Sequence, residues 1–427
     1  MKVNLLRHSI SLKDKSLTYI QIPMPNKKIL FLGGAYAQIP IILEAKRRGM
    51  YIITCDYLPD NPGHQYANEY HNVSTTDLDG VLKLAQQVKP DYIVAYASDP
   101  AAPTAAYVSE KLGLPGNSYH SVQILGEKDL FRDFLFNHGF NTPQNISVHS
   151  TEHIYERIST LQFPLISKPT DSSGSKGIKK INAYEDISDA VNFARAFSRN
   201  GRVIIEEFID NEGADIHGDG FVIDGELVFS CLGDHLYNYK SNPFNPVGTL
   251  WPSQHSSDIV KKINHDVARI IKLSGFTCGP VNIEARVNRE GKYYIMEIGP
   301  RSGGHFVPQA IQYATGFDMV KASLDVLTHG PEISIPDFKP HPTAYYALHS
   351  DTPGVFKDII IKEQLLPFIK EFHQYIKSGE KVQAFQGANA AIGVLLLLFN
   401  TYEEMNHYII NIDEFIELKL EQVVHNC

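Results

Sequence analysis

A chain of 427 residues with 43% hydrophobic and 20% charged content has the make-up of a globular protein, with room for two to four domains. Its formal charge of −9, carried without any basic block, argues against nucleic acid as a partner. Cys55, Cys231, Cys278 and Cys427 stand far apart with no CxxC pair, which argues against a zinc site or disulfide framework and fits a reducing cytosol.

Residues 1–26 read as an extension without a clear pattern; MKVNLLRHSISLKDKS lacks an apolar core of signal-peptide length. From Lys27 the chain alternates. KKILFLGG predicts a buried strand, AQIPIILEAKRRG an amphipathic helix closed by Gly49, and YIITCD a second strand. VLKLAQQVKP and TAAYVSEKLGLPG predict helices around the strand DYIVAYAS. Such alternation implies a parallel α/β domain over 27–120. Residues 121–205 read as a mixed unit, with helices at GEKDLFRDFLFNHGF, TEHIYERISTL and ISDAVNFARAF and short strands at FPLISK and RVIIEEF. Over 206–330 strands dominate, with one hairpin turning at Asp224-Gly225 and another near 288–291. The long polar stretch HLYNYKSNPFNPVGTLWPSQHS, 235–256, reads as a substrate-contacting loop carrying Trp251. HGPEISIPDFKPHP marks a boundary, and 335–427 mix short strands with two helices. The longest apolar run, IGVLLLLF, is too short to span a bilayer, so no membrane partner and a cytoplasmic location are expected.

The hairpin at 279–299 carries the most chemistry. With a turn at 288–291, Ile295 is expected to face Glu284 and Glu297 to face Asn282, so Asn282, Glu284 and Glu297 share one sheet face. Two unpaired carboxylates on such a face cost several kcal/mol, and a divalent metal removes that cost. Mg2+ favours one or two carboxylates with phosphate oxygens. Arg301, in GPRSGGH, is a planar donor for phosphate or carboxylate. Upstream, PLISKPTDSSGSKG ends a strand at Lys168 and opens a Ser/Gly loop able to offer backbone N–H groups to phosphates, although the GxxxxGK[ST] pattern is absent.

The order of these parts resembles the ATP-grasp superfamily over roughly 27–420. Features of its carbamoyl phosphate synthetase-like, biotin carboxylase-like and purine-biosynthetic branches all appear, the last represented by carboxyaminoimidazole ribonucleotide synthetase and the formate-dependent glycinamide ribonucleotide transformylase. The resemblance implies ATP held between two α+β subdomains, with a preceding α/β domain and a small β-rich C-terminal cap. Lys128 and Lys168 match the phosphate-contacting lysines, and Ser172, Ser173, Gly174, Ser175 and Gly177 the loop that closes over the triphosphate. Glu206, Glu207 and Ile209 match the adenine hinge, and Asp215 the ribose contact. Glu284 and Glu297 match the Mg2+ (or Mn2+) ligands, and Arg301 the residue that steadies the transferred phosphoryl group. One position departs: where most members read Glu-x-Asn, Gly299 stands in place of the Asn ligand, as a small residue does in the purine-biosynthetic branch; Asn282 or water is a candidate substitute. The implied activity is ADP-forming carboxylate–amine ligation through an acyl phosphate, in a homodimer acting on small molecules. A bicarbonate- or formate-using enzyme and a non-catalytic ATP-binding protein are the alternatives. Tyr36, Ser98, Asp99, Thr104, Lys240, His235, His255 and His305 are candidate substrate contacts.

Overall fold

The computed structural model describes residues 24, 26–238, 240, 242–329 and 333–421; nearly all of the 1–26 extension and Cys427 lie outside them. The N-terminal unit is a four-stranded parallel sheet. Lys28–Leu32 is flanked by Tyr51–Cys55 on one side and Tyr92–Val94 on the other, with Glu69–His71 at the far edge. Strand order therefore reverses beside Lys28–Leu32, and the loops after that strand and after Tyr92–Val94 open a crevice at the carboxyl ends. Ile29, Leu30, Ile52 and Ile53 are fully buried, as continuous apolar runs in a parallel sheet require.

A second, antiparallel sheet is ordered Asn145–Val148, Val203–Glu207, Leu165–Pro169, Lys179–Ile181. Helix Ile187–Ala196 covers it, burying Ile187 and Val191 against Leu165, Val203 and Ile205. Each such buried aliphatic side chain contributes about 1.5–3 kcal/mol. TEHIYERISTL yields only the short helix Ile154–Arg157.

The third sheet has eight antiparallel strands: Tyr293–Gly299, Gly279–Val287, Ile216–Ile223, Glu226–Tyr237, Pro246–Trp251, Thr343–Leu348, Gly393–Leu398 and Ile369–Gln374, in that spatial order. Helix Ser257–Ser274 packs Ile263, Val267 and Ile270 onto one face, against Ile216, Val281, Ile283 and Ile295. The even-numbered residues of Gly279–Val287 consequently face the other way. Asp224 (φ +50°) and Gly225 (φ +78°) form the expected two-residue hairpin turn.

Two expectations change here. Residues 235–237 and 246–251 are strand rather than loop, because they continue the sheet, and Pro243, Phe244 and Asn245 between them line a cavity; Trp251 is fully buried in the core and Lys240 is exposed. The C-terminal residues are not a separate cap alone: three of their strands extend the eight-stranded sheet through Pro246–Trp251, and only Gly354–Ile361, Lys381–Val382 and Ile416–Glu421 form an additional small sheet. No helix among the described residues is long and apolar enough to cross a membrane.

Candidate active site

A cavity of about 590 Å3 lies between the second and third sheets, roofed by residues of the N-terminal unit and of the C-terminal strands. The carboxylate hairpin forms one wall. Its turn, closed by Gly291 N–H to Asn288 O (2.9 Å), sets Val287 opposite Tyr293 and Ala285 opposite Ile295. A bulge then inserts Met296, so Glu284 pairs with Glu297 and Asn282 with Gly299. The expected pairing of Glu284 with Ile295 and of Asn282 with Glu297 is thus corrected by two residues, one at the turn and one at the bulge, while the shared face is kept: all three side chains line the cavity. Burial, then the Glu297 charge, push the Glu284 carboxyl up to about 7.

Glu284 has no hydrogen-bond or ion-pair partner among the described residues, and Glu297 lies 3.5 Å from Lys128 Nζ. Among the described residues no group of three or more His, Cys, Asp or Glu side chains is arranged to hold a metal. Two hard oxygen donors, one of them unpaired, fit an ion that takes its remaining ligands from phosphate and water. Asn282 sits opposite Gly299, and its amide nitrogen donates to His217 Nε2 (2.9 Å) and Asp219 Oδ1 (2.8 Å).

On the opposite wall, Lys168 ends its strand and reaches Glu206, which also accepts from Arg132 Nε (2.9 Å). Glu206 and Arg132 are 1% exposed. Burial alone would raise the Glu206 carboxyl, but the Arg132 and Lys168 charges overcome it and hold it at about 2. Lys128 opens helix Lys128–Asn137; its backbone N–H reaches Thr170 O (3.0 Å) and its Nζ reaches Ser172 O (2.9 Å), tying helix to loop. Ser172, Ser173, Gly174 and Ser175 line the cavity, whereas Gly177 does not. Gly177 (φ +72°) serves the base of the loop, where a Cβ would stand 2.8 Å from Pro169 and 2.9 Å from Phe197.

The hinge expectation also shifts. Glu206, Glu207 and Ile209 are absent from the cavity wall: Glu206 points into its ion pairs, Glu207 accepts from Gln162 N–H, and Ile209 O accepts from Arg286. Phe208 lines the cavity instead, with Lys180 Nζ 4.0 Å from its ring centroid. Asp215 lines the cavity with its oxygens engaged by Arg286 (2.8 Å to Nε) and Tyr237 OH (2.9 Å).

Beyond the carboxylates, His217 and His235 stack at 4.1 Å and both meet Thr249 Oγ1. Because Asn282 can only donate to His217 Nε2, His217 carries its proton on Nδ1 and is neutral. Of the proposed substrate contacts, Asp99, His235 and His305 line the cavity, whereas Tyr36, Ser98, Thr104 and His255 do not. His217, Phe208, Lys180 and Arg286 were missed by sequence reading. Alternating polar residues in DIHGDGF at 215–221 were the available signal for His217.

Residues 161–309 match the model of the ATP-grasp domain. The chain contains an ATP-grasp domain. The ATP-grasp match embraces Lys168, the Ser/Gly loop, the carboxylate hairpin and Arg301. The carbamoyl phosphate synthase large chain of Clostridium perfringens is 23% identical over 294 residues, which is 65% of this chain but 27% of that one. The chain thus spans about a quarter of the length of that relative. Among solved structures, L-amino acid ligase from Bacillus licheniformis matches with a TM-score of 0.77 at 20% identity, over 93% of this chain and all of that one. The biotin carboxylase domain dimer of 2-oxoglutarate carboxylase from Hydrogenobacter thermophilus, solved with MgADP and bicarbonate, matches with a TM-score of 0.74 at 16% identity, over 93% and 91% of the two chains. At these identities the structural likeness establishes the fold.

Proposed function

We propose that the protein is an ATP- and Mg2+-dependent ligase that joins a carboxylate to an amine through an acyl phosphate, releasing ADP and phosphate. The observation that carries this reading is convergence. Lys128, Lys168, the Ser172–Ser175 loop, Arg301, Glu284 and Glu297 come from separate elements of two sheets and face one cavity. MgADP in a protein of the same fold supports the nucleotide assignment. Glu284 and Glu297 would hold Mg2+, which when bound offsets phosphate charge.

Lys168 and Lys128 would neutralise the triphosphate, with Phe208 as a wall for the base. A carboxylate oxygen of the substrate attacks the γ-phosphorus, the bond to the bridging β–γ oxygen breaks, and ADP leaves. Arg301 faces the oxygens of the transferred group. The amine then attacks the acyl carbon, phosphate departs, and the amine proton passes to solvent. The Ser/Gly loop excludes water, which would otherwise hydrolyse the acyl phosphate. Catalysis of this kind is positioning and electrostatics, with no covalent nucleophile required. Substrates are small molecules on this reading, and a homodimer is the proposed assembly.

The test is ADP release from MgATP against a panel of small carboxylates with hydroxylamine as nucleophile. Carboxylate-dependent ADP release with hydroxamate formation is the expected result. MgATP binding without turnover across a panel that includes amino acids, formate and bicarbonate would favour a non-catalytic binder.

A further inference from the structure

Arg301 lies two residues beyond the carboxylate hairpin, but its fork is filled from another domain. Nε–H donates to Asp99 Oδ1 (2.6 Å) and Nη2–H to Asp99 Oδ2 (2.5 Å), while Nη1–H donates to Ser302 O (3.0 Å). Asp99 lies in the loop after Tyr92–Val94, at the crevice of the N-terminal parallel sheet and 202 residues away in sequence. Of the five guanidinium N–H donors, two remain, one on each terminal nitrogen, with no protein acceptor among the described residues. The side chains of both partners are largely buried, Arg301 at 11% and Asp99 at 21% exposure, and both line the cavity.

The backbone next to this pair is shaped around it. A Cβ on Gly299 would lie 3.0 Å from Asp99 Oδ1 and 3.2 Å from Arg301 Cζ. Gly299 does not adopt the left-handed conformation that calls for glycine, so what its missing side chain provides is room. Against its burial, Arg301 first, then Lys128 and Ser173 of the Ser/Gly loop, hold the Asp99 carboxyl below the usual carboxylate range.

We propose that Asp99 is a positioning residue: it aims Arg301 so that the two remaining N–H donors face the phosphoryl group in flight, and Gly299 is the space that pairing needs. Asp99 touches no reacting atom. It is the point at which the N-terminal domain contributes to phosphoryl transfer, and it gathers Arg301 and the loop onto one carboxylate. The inference rests on the cavity being an MgATP site.

The experiment measures MgADP affinity by calorimetry with and without aluminium fluoride, which mimics a phosphoryl group between donor and acceptor. In the wild type, fluoroaluminate tightens MgADP binding about tenfold or more, the scale of a charge-assisted bidentate contact. Asp99→Asn, which keeps the shape, leaves MgADP affinity within about twofold and loses that tightening. Arg301→Met loses it as well, and the double variant loses no more than either single one. Gly299→Ala reproduces the loss by crowding the pair, and melting temperatures verify folding. Retained tightening in Asp99→Asn, or additive losses, overturns the positioning role alone. An equal loss of MgADP affinity and fluoroaluminate tightening would show a merely structural pair. Absence of MgADP binding to the wild type overturns the nucleotide reading, and this inference with it.

Discussion

Replacing Glu206 by Gln tests the central electrostatic claim of the nucleotide wall. Glu206 sits at 1% exposure between Arg132 and Lys168, and the Gln variant leaves two cations facing each other with only an amide between them. Arg132 keeps its bond to Met296 O (2.8 Å), but the Lys168 ammonium has no other hydrogen-bond acceptor among the described residues. Removing one partner from a buried ion pair costs about 3–5 kcal/mol. At roughly 2–4 °C per kcal/mol for a cooperative unit of this size, the melting temperature of the nucleotide-binding region drops by about 10 °C. The pH dependence supplies a second check. The Glu206 carboxyl is depressed from 4.5 to about 2 in the folded protein, so its stabilisation is fully present above 4.5 and is lost as pH falls toward 2. The gap between wild type and variant in scanning calorimetry therefore closes over that window. MgATP affinity falls at least tenfold at neutral pH because Lys168 is no longer held at the cavity wall, the loss of one charge-assisted contact being about that large. A melting temperature within about 2 °C of wild type, or a gap that persists at pH 2, would refute the reasoning.

Glu284 behaves with the opposite sign: its carboxyl is raised from 4.5 to about 7, so the stability it contributes is present below pH 4.5 and lost as pH rises through 7. Melting curves of the nucleotide-free protein should fall across that range, by up to about 3 kcal/mol, and added Mg2+ should restore stability chiefly above pH 7; a Mg2+ effect equal at pH 5 and pH 8 would remove the metal assignment. Glu297→Ala is expected to abolish Mg2+-dependent ADP release with the fold intact by circular dichroism, and full turnover in that variant would contradict the pair. Phe208→Ala should weaken MgATP binding roughly tenfold while leaving inorganic triphosphate binding unchanged, as loss of an aromatic wall for a base implies.

The parallel α/β unit was legible because its apolar runs and Gly stops are local signals: Gly49 and Gly113 adopt φ of +76° and +65° where the helices end. The same holds for the turn at Asp224-Gly225. The side chains expected at the hinge do not line the cavity, because period-two alternation does not say which face of an interior strand meets it. Glu206 turned out to be on the ion-pair side, and Phe208, one position past the strand, is the wall. Residues 235–256 were misread for a related reason. Asn, Pro and Ser punctuate the segment at 238–246, but the flanking GDHLY and PVGTLW pair with each other, and PVGTLW pairs on its other side with Thr343–Leu348, far along the chain.

The carboxylate hairpin marks where local reading ends. Alternation alone put Glu284 and Glu297 on one face, and that survives because the turn and the bulge each shift the register by one residue, and two such shifts restore the face. What alternation does not reveal is the turn register and the inserted Met296, which together set Glu297 directly opposite Glu284. Opposition brings the two charges closer than a diagonal would, since directly opposite residues sit about 5 Å apart and diagonal ones 7–8 Å. At an effective dielectric of 20 that change strengthens the repulsion by roughly 1 kcal/mol, enough to matter for proton and metal occupancy. The opposed pair therefore sharpens the site toward a divalent cation, and replacing Glu297 by Gln removes the opposing charge while keeping the shape. Glu297→Gln should lower the pH at which the nucleotide-free protein loses the stability contributed by Glu284, because Glu284 then ionises more readily. A fall in stability that still sets in near pH 7 in that variant would mean that burial alone, not the opposed carboxylate, holds Glu284 protonated.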